Sequence, residues 1–127
     1  MQQLISIGIG GAIGAILRYL VSGGVHTFMG KSFPYGTLSV NVIGSFIVGI
    51  LFVIFTSNET IPEIVKISVL VGMLGAFTTF STFSLDTFKL IENAAFYKAG
   101  LNITMNVIAS LAATWFGIIF SRVVVQT

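Results

Sequence analysis

Four long apolar stretches alternate with short polar connections along the chain, at about 4–24, 36–55, 64–91 and 99–125. Each is near or above the roughly 20 apolar residues that a membrane-crossing helix needs. Strand-like alternation is absent, which argues against a β-barrel. In hydrocarbon the backbone must satisfy its own hydrogen bonds, so the stretches are predicted to be helices. The punctuation falls between them: Gly30, Lys31, Ser32 and Pro34 within 26–35, Asn58, Glu59, Pro62 and Glu63 within 56–63, and a short polar run at 92–98. The connections leave no room for a domain outside the membrane. The expectation is one all-α membrane domain over 1–127, with four transmembrane helices and both ends on one side.

Composition sharpens this picture. Of 127 residues, 55 % are hydrophobic and only 8 % are charged, and mean hydropathy is +1.03. Ten charges cannot cover the surface of a water-soluble protein of this size. A soluble enzyme, a nucleic-acid binder and a disordered chain are thereby excluded. The net charge of +2 has no basic run behind it, and the absence of cysteine excludes disulfides and thiolate metal sites. The first stretch does not read as a cleaved signal, because no Lys or Arg precedes it and Arg18 lies inside it. Charge is also nearly balanced across the membrane. Lys66 and Arg122 fall on one side, and Lys31, Lys89 and Lys98 on the other, joined by Arg18. The positive-inside rule has little to act on, so insertion in both orientations is open alongside a single weakly biased topology.

The chemistry lies in what is polar inside the apolar stretches. The second stretch carries Thr37, Asn41 and Ser45, and the fourth carries Asn102, Asn106, Ser110 and Thr114. Spacing by four advances about 40° per step on an ideal α-helix, giving slowly winding stripes. Such amides and hydroxyls either bind helices to one another or line a path. The third stretch contains Gly72-Met-Leu-Gly75-Ala-Phe77-Thr78-Thr79-Phe80-Ser81-Thr82-Phe83-Ser84. Glycines and hydroxyl residues weaken a helix there, which predicts a break at membrane depth. Freed carbonyls at such a break suit a cation, and freed amides an anion. Phe77, Phe80 and Phe83 recur every three residues, and the edge of a Phe ring is positive. They serve as plain packing or as uncharged anion contacts. Arg18 either snorkels to the interface or draws anions into a vestibule. Small-residue spacings, Gly10-x-x-x-Gly14 and Ser45-x-x-x-Gly49, allow close helix packing. Four short helices make a poor pore alone, so a homodimer is expected.

Three blocks are similar to one known family. They are Gly10-Gly11-x-x-Gly14-Ala15-x-x-Arg18-Tyr19, Gly36-Thr37-x-x-x-Asn41-x-x-Gly44-Ser45-Phe46-x-x-Gly49, and Gly72-x-x-Gly75-x-Phe77-Thr78-Thr79-Phe80-Ser81-Thr82-Phe83. Over nearly its whole length the chain resembles the CrcB/Fluc family of microbial fluoride channels. The resemblance implies an antiparallel, dual-topology homodimer in the cell inner (plasma) membrane, with two fluoride pores. It implies a structural Na⁺ at the dimer centre, held by backbone carbonyls at positions matching Gly75 and Thr78. Phe80 and Phe83 match the pore phenylalanines and Asn41 the pore asparagine, while Ser81, Thr82, Ser110 and Thr114 resemble a hydroxyl track. Some members carry a Tyr near the pore on the fourth helix, whereas here Tyr97 stands at its start and Asn102 and Asn106 lie farther in.

Fluoride holds water tightly, so a ring of fixed charges would bind it without release, and weak neutral donors in series suit conduction better. HF enters cells and dissociates, and a negative-inside potential drives F⁻ out without ATP. The chain carries no nucleotide-binding loop. The alternative is a small dual-topology proton-coupled drug antiporter, which needs a carboxylate in the membrane. Asp86 is the one weak candidate for that role.

Overall fold

The computed structural model describes residues 1–126. Every regular element among the described residues is helical. Four helical spans are long and apolar enough to cross a membrane: Gln2–Met29, Tyr35–Ser57, Glu63–Glu92 and Phe96–Gln126. The first is α1 (Gln2–Met29) and the second α2 (Tyr35–Ser57). The third comprises α3 (Glu63–Ile67), a π-helical segment (Ser68–Leu74), α4 (Gly75–Phe77) and α5 (Phe80–Glu92). The fourth comprises α6 (Phe96–Thr104), a second π-helical segment (Met105–Ala109) and α7 (Ser110–Gln126).

The connections are shorter than the polar residues suggest. Gly23, Gly24 and His26 all stay inside α1, which runs five residues past the predicted end of the first stretch. Thr27 Oγ1 donates back to Gly23 O at 3.0 Å, so this polar side chain is satisfied by the helix itself. The helix ends at Gly30, whose φ of 82° is open to glycine at little cost. A tight turn with Ala94 at φ 56° separates α5 from α6.

Two close crossings hold the bundle together. α1 lies against the first π segment, where Gly10 faces Ser68 O and Gly14 faces Met73 O. α2 lies against α7, where Gly49 faces Thr114 O and Gly117 faces Phe46 O. A Cβ at any of these positions would run into backbone, so glycine is what lets the helices approach. The Gly10 and Gly14 spacing thus acts in packing. Two hydroxyls reinforce the second crossing, Thr114 Oγ1 donating to Ser45 O and Ser121 Oγ to Ile50 O, each at 3.1 Å. Most large apolar side chains point outward, including Ile9, Phe52, Trp115 and Phe120. An outward apolar surface is what a lipid-facing chain requires.

Candidate functional site

Thr78 and Thr79, between α4 and α5, are extended, with φ/ψ of −84°/157° and −150°/121°. Hydroxyl side chains that compete for backbone partners favour this departure from helical geometry. Thr79 then starts α5 as its N-cap, accepting from Thr82 N at 3.1 Å. Asn41 of α2 braces the same residue on both of its backbone groups. Its Oδ1 accepts from Thr79 N at 2.8 Å, and its Nδ2 donates to Thr79 O at 3.1 Å. The second Nδ2 proton goes to Asn106 Oδ1 at 2.9 Å.

These diversions release two carbonyls. In an uninterrupted α-helix Thr79 N–H would bond Gly75 O, and Thr82 N–H would bond Thr78 O. The first proton goes to Asn41 Oδ1 and the second to Thr79 Oγ1. Gly75 O and Thr78 O have therefore lost their helical donors, and Gly75 is exposed. No cluster of three His, Cys, Asp or Glu side chains exists among the described residues. Backbone oxygens without helical donors are the kind of group that a hard cation takes.

Two cavities flank the extended pair and share Thr79. The first, about 400 Å³, is lined by Asn41, Ser45, Thr78, Thr79, Phe80, Phe83, Asn106, Ser110 and Thr114 with three apolar residues. The Phe80 and Phe83 rings meet edge to face, with centroids 5.1 Å apart at 71°. Phe83 is buried, whereas Phe80 is 74 % exposed. Ser110 Oγ is buried with no hydrogen-bond partner. The second π segment sets this alignment. An i→i+5 pattern holds more than four residues per turn, so it reverses the drift of a four-residue spacing on an α-helix. Asn106, Ser110 and Thr114 thereby face one cavity instead of winding away from it.

The second cavity, about 650 Å³, is lined by Arg18, Ser22, His26, Thr27, Lys31, Thr37, Thr79 and Thr82 among others. Its floor includes Thr37 Oγ1, which donates to Asp86 Oδ2 at 2.7 Å. The predicted site residues are thus divided. Asn41, Phe80, Phe83, Ser110, Thr114 and Thr78 line the first cavity, and Arg18 and Thr82 the second. Ser81 is exposed and lies outside both linings, its Oγ 3.3 Å from Thr79 Oγ1. Sequence reasoning missed His26 and Lys31 as partners of Arg18, having placed both in a connection. It also missed Thr79 as the hinge between the cavities, although a Thr opening the Ser/Thr/Phe run is an N-cap signal.

A family model described as "CrcB-like protein, Camphor Resistance (CrcB)" matches residues 5–118. A protein named fluoride-specific ion channel FluC from Magnetococcus marinus is 47 % identical over 97 % of this chain and 100 % of its own length. Proteins of the same name from Geobacter metallireducens and Vibrio parahaemolyticus are 43 % and 50 % identical. These cover 96 % and 87 % of the chain, and 98 % and 87 % of the relatives. With the matched segment reaching into all four spans, the chain belongs to the CrcB-like family.

Proposed function

We propose that this chain is a passive, fluoride-selective channel of the plasma membrane that carries F⁻ out of the cell. It is a multi-pass membrane protein and an ion channel, not an enzyme, in keeping with its relatives' name. The observation that carries the reading is the first cavity. There a buried, unpaired hydroxyl at Ser110 stands beside the Phe80 and Phe83 rings, with no Lys, Arg, Asp or Glu in the lining. A small anion leaving water needs donors strong enough to replace its hydration and weak enough to release it. Neutral hydroxyls and positive ring edges meet both conditions. Arg18 and Lys31 on the other side of Thr79 supply a cationic vestibule that concentrates anions before entry.

The exposure of Phe80 beside this cavity leaves one wall for a second copy. We read the assembly as an antiparallel homodimer with one such pore per protomer, consistent with the weak topology bias. The extended pair at Thr78 and Thr79 is read as a break at membrane depth. The carbonyls of Gly75 and Thr78 are the groups that would hold a structural Na⁺ between protomers. Asn41, Ser81, Thr82 and Thr114 complete the proposed polar path, Asn41 by fixing the break and the hydroxyls by offering exchangeable donors. The proton-coupled antiporter gains nothing from the geometry, because Asp86 is engaged by Thr37 near the vestibule. Purified protein in liposomes should release F⁻ rapidly under a K⁺-valinomycin potential and retain Cl⁻. Absence of F⁻ efflux, or equal passage of Cl⁻, would overturn the proposal.

A further inference from the structure

Asn102 of α6 is fully buried, 0 % exposed. Its amide sits in a series of hydrogen bonds that begins and ends on α5 and its cap. Thr79 N donates to Asn41 Oδ1 at 2.8 Å, and Asn41 Nδ2 donates to Asn106 Oδ1 at 2.9 Å. Asn106 Nδ2 donates to both Asn102 O and Asn102 Oδ1, each at 2.9 Å. Asn102 Nδ2 donates to Thr87 Oγ1 at 2.9 Å, and Thr87 Oγ1 gives its own proton to Phe83 O at 2.8 Å.

The series has one polarity, because both ends are backbone groups. Thr79 N–H can only donate, so Asn41 must present its oxygen there. Phe83 C=O can only accept, so the Thr87 proton is committed and only its lone pairs face Asn102. Reversing any of the three amides brings donor against donor or acceptor against acceptor. In a buried setting each such mismatch is costly.

We infer that Asn102 is a positioning residue for the ion path. It does not line the first cavity. Its side-chain oxygen takes one Asn106 proton while its backbone oxygen takes the other, and its amide nitrogen joins this pair to Thr87 and so to Phe83, closing a clamp on the turn from Thr79 to Phe83 that carries both phenylalanines. This rests on the fluoride-channel reading, and its test separates the two.

Asn102→Asp discriminates between positioning and bulk. A protonated carboxyl reproduces the amide: its O–H donates to Thr87 Oγ1 and its C=O accepts from Asn106 Nδ2. An ionised carboxylate has no donor, so it draws the Thr87 proton away from Phe83 O. At low pH the whole series is intact; at high pH its Phe83 end is released while Asn106 keeps an acceptor, and Asn102→Leu removes both side-chain links. The charged and titratable groups on α5 and α6 are Asp86, held by Thr37, Lys89, Glu92, Tyr97, and Lys98, which donates to Ser32 O. Arg18, His26 and Lys31 lie on the vestibule side. All are present in the unmodified chain, whose own profile is the baseline.

Liposome F⁻ efflux is measured between about pH 5 and about pH 8, above the ordinary carboxyl range, where a carboxyl whose charged form burial disfavours changes charge while Lys and Arg do not. Relative to the unmodified chain, Asn102→Asp should lose about tenfold or more on going to high pH, the scale of one buried hydrogen bond. Asn102→Leu should be low at every pH. If Asn102→Leu conducts like the unmodified chain, the inference is wrong; full flux in Asn102→Asp beside loss in Asn102→Leu means that the buried carboxyl has stayed protonated, and supports it. Should Asn102→Asp not fold, Thr87→Val takes its place, and full flux in that variant overturns the inference. If the unmodified chain itself releases no F⁻, the fluoride reading fails instead. The relay is then read from hydrogen exchange of the Asn41 side-chain amide, slow in the unmodified chain and fast in Asn102→Leu; equal rates overturn it.

Discussion

Ser110→Ala should lower flux without lowering stability. The hydroxyl oxygen is buried and makes no hydrogen bond, so its removal breaks none. A buried unsatisfied polar group costs about 1–3 kcal/mol. The alanine protein should therefore match the unmodified one or exceed it by up to about that amount. Conduction is affected in the opposite direction. A hydrogen bond to a charged partner is worth about 1.5–3 kcal/mol. At roughly 1.36 kcal/mol per factor of ten, its loss should slow F⁻ by about ten- to a hundredfold. Thr114→Val is the matched comparison, at a path hydroxyl whose removal also takes away a helix–helix bond. It lines the same cavity, but its Oγ1 donates to Ser45 O at 3.1 Å. Its loss should cost about 1 kcal/mol of stability. Liposome efflux and thermal stability in detergent, measured on both variants, give the two readouts. If Ser110→Ala melts earlier and conducts at the unmodified rate, the hydroxyl binds helices together and plays no part in conduction.

Phe80→Ile and Phe83→Ile keep apolar bulk and remove a ring edge, so each should slow F⁻ strongly while the dimer persists on size exclusion. Phe77→Ile, at a buried ring outside the cavity lining, should conduct normally, and unmodified flux in all three variants would reduce the phenylalanines to packing. Exchanging Na⁺ for a large organic cation during purification should weaken flux or dimer stability, since Gly75 O and Thr78 O have lost their helical donors. Full function after verified Na⁺ depletion would remove the cation from the scheme.

The four spans were legible because length and apolarity alone decide membrane crossing. Their ends were less so. Polar residues at 23–27 looked like a connection, but Thr27 turns its hydroxyl back onto Gly23 O, and the helix continues. The π segments left no trace in the hydrophobic pattern, since one extra residue per turn is invisible where every face is apolar. Residue types at the site were readable, but their commitments were not. Asn41 and Asn106 stand 65 positions apart, and only the fold shows that the first amide donates to the second. The two stripes thereby separate: the side chains of Thr37, Asn41, Asn102, Asn106 and Thr114 are bonded, while the Ser110 hydroxyl is buried without a partner. Gly117 was overlooked for the same reason: its partner is a carbonyl on another helix, at Phe46.

The two glycine crossings also constrain how this chain can drift. At Gly10, Gly14, Gly49, Gly72 and Gly117 an added methyl group would strike a backbone atom, which no rotamer change can move aside. The usable alphabet at these five positions is close to a single letter. The outward surface, with Ile, Leu, Val and Phe facing lipid, accepts almost any exchange among apolar residues. Random substitution under selection for folding should therefore erase the exterior first and leave two lines of glycine. Library selection for stable expression, with no demand for transport, would recover the same two lines while leaving Ser110 free to vary.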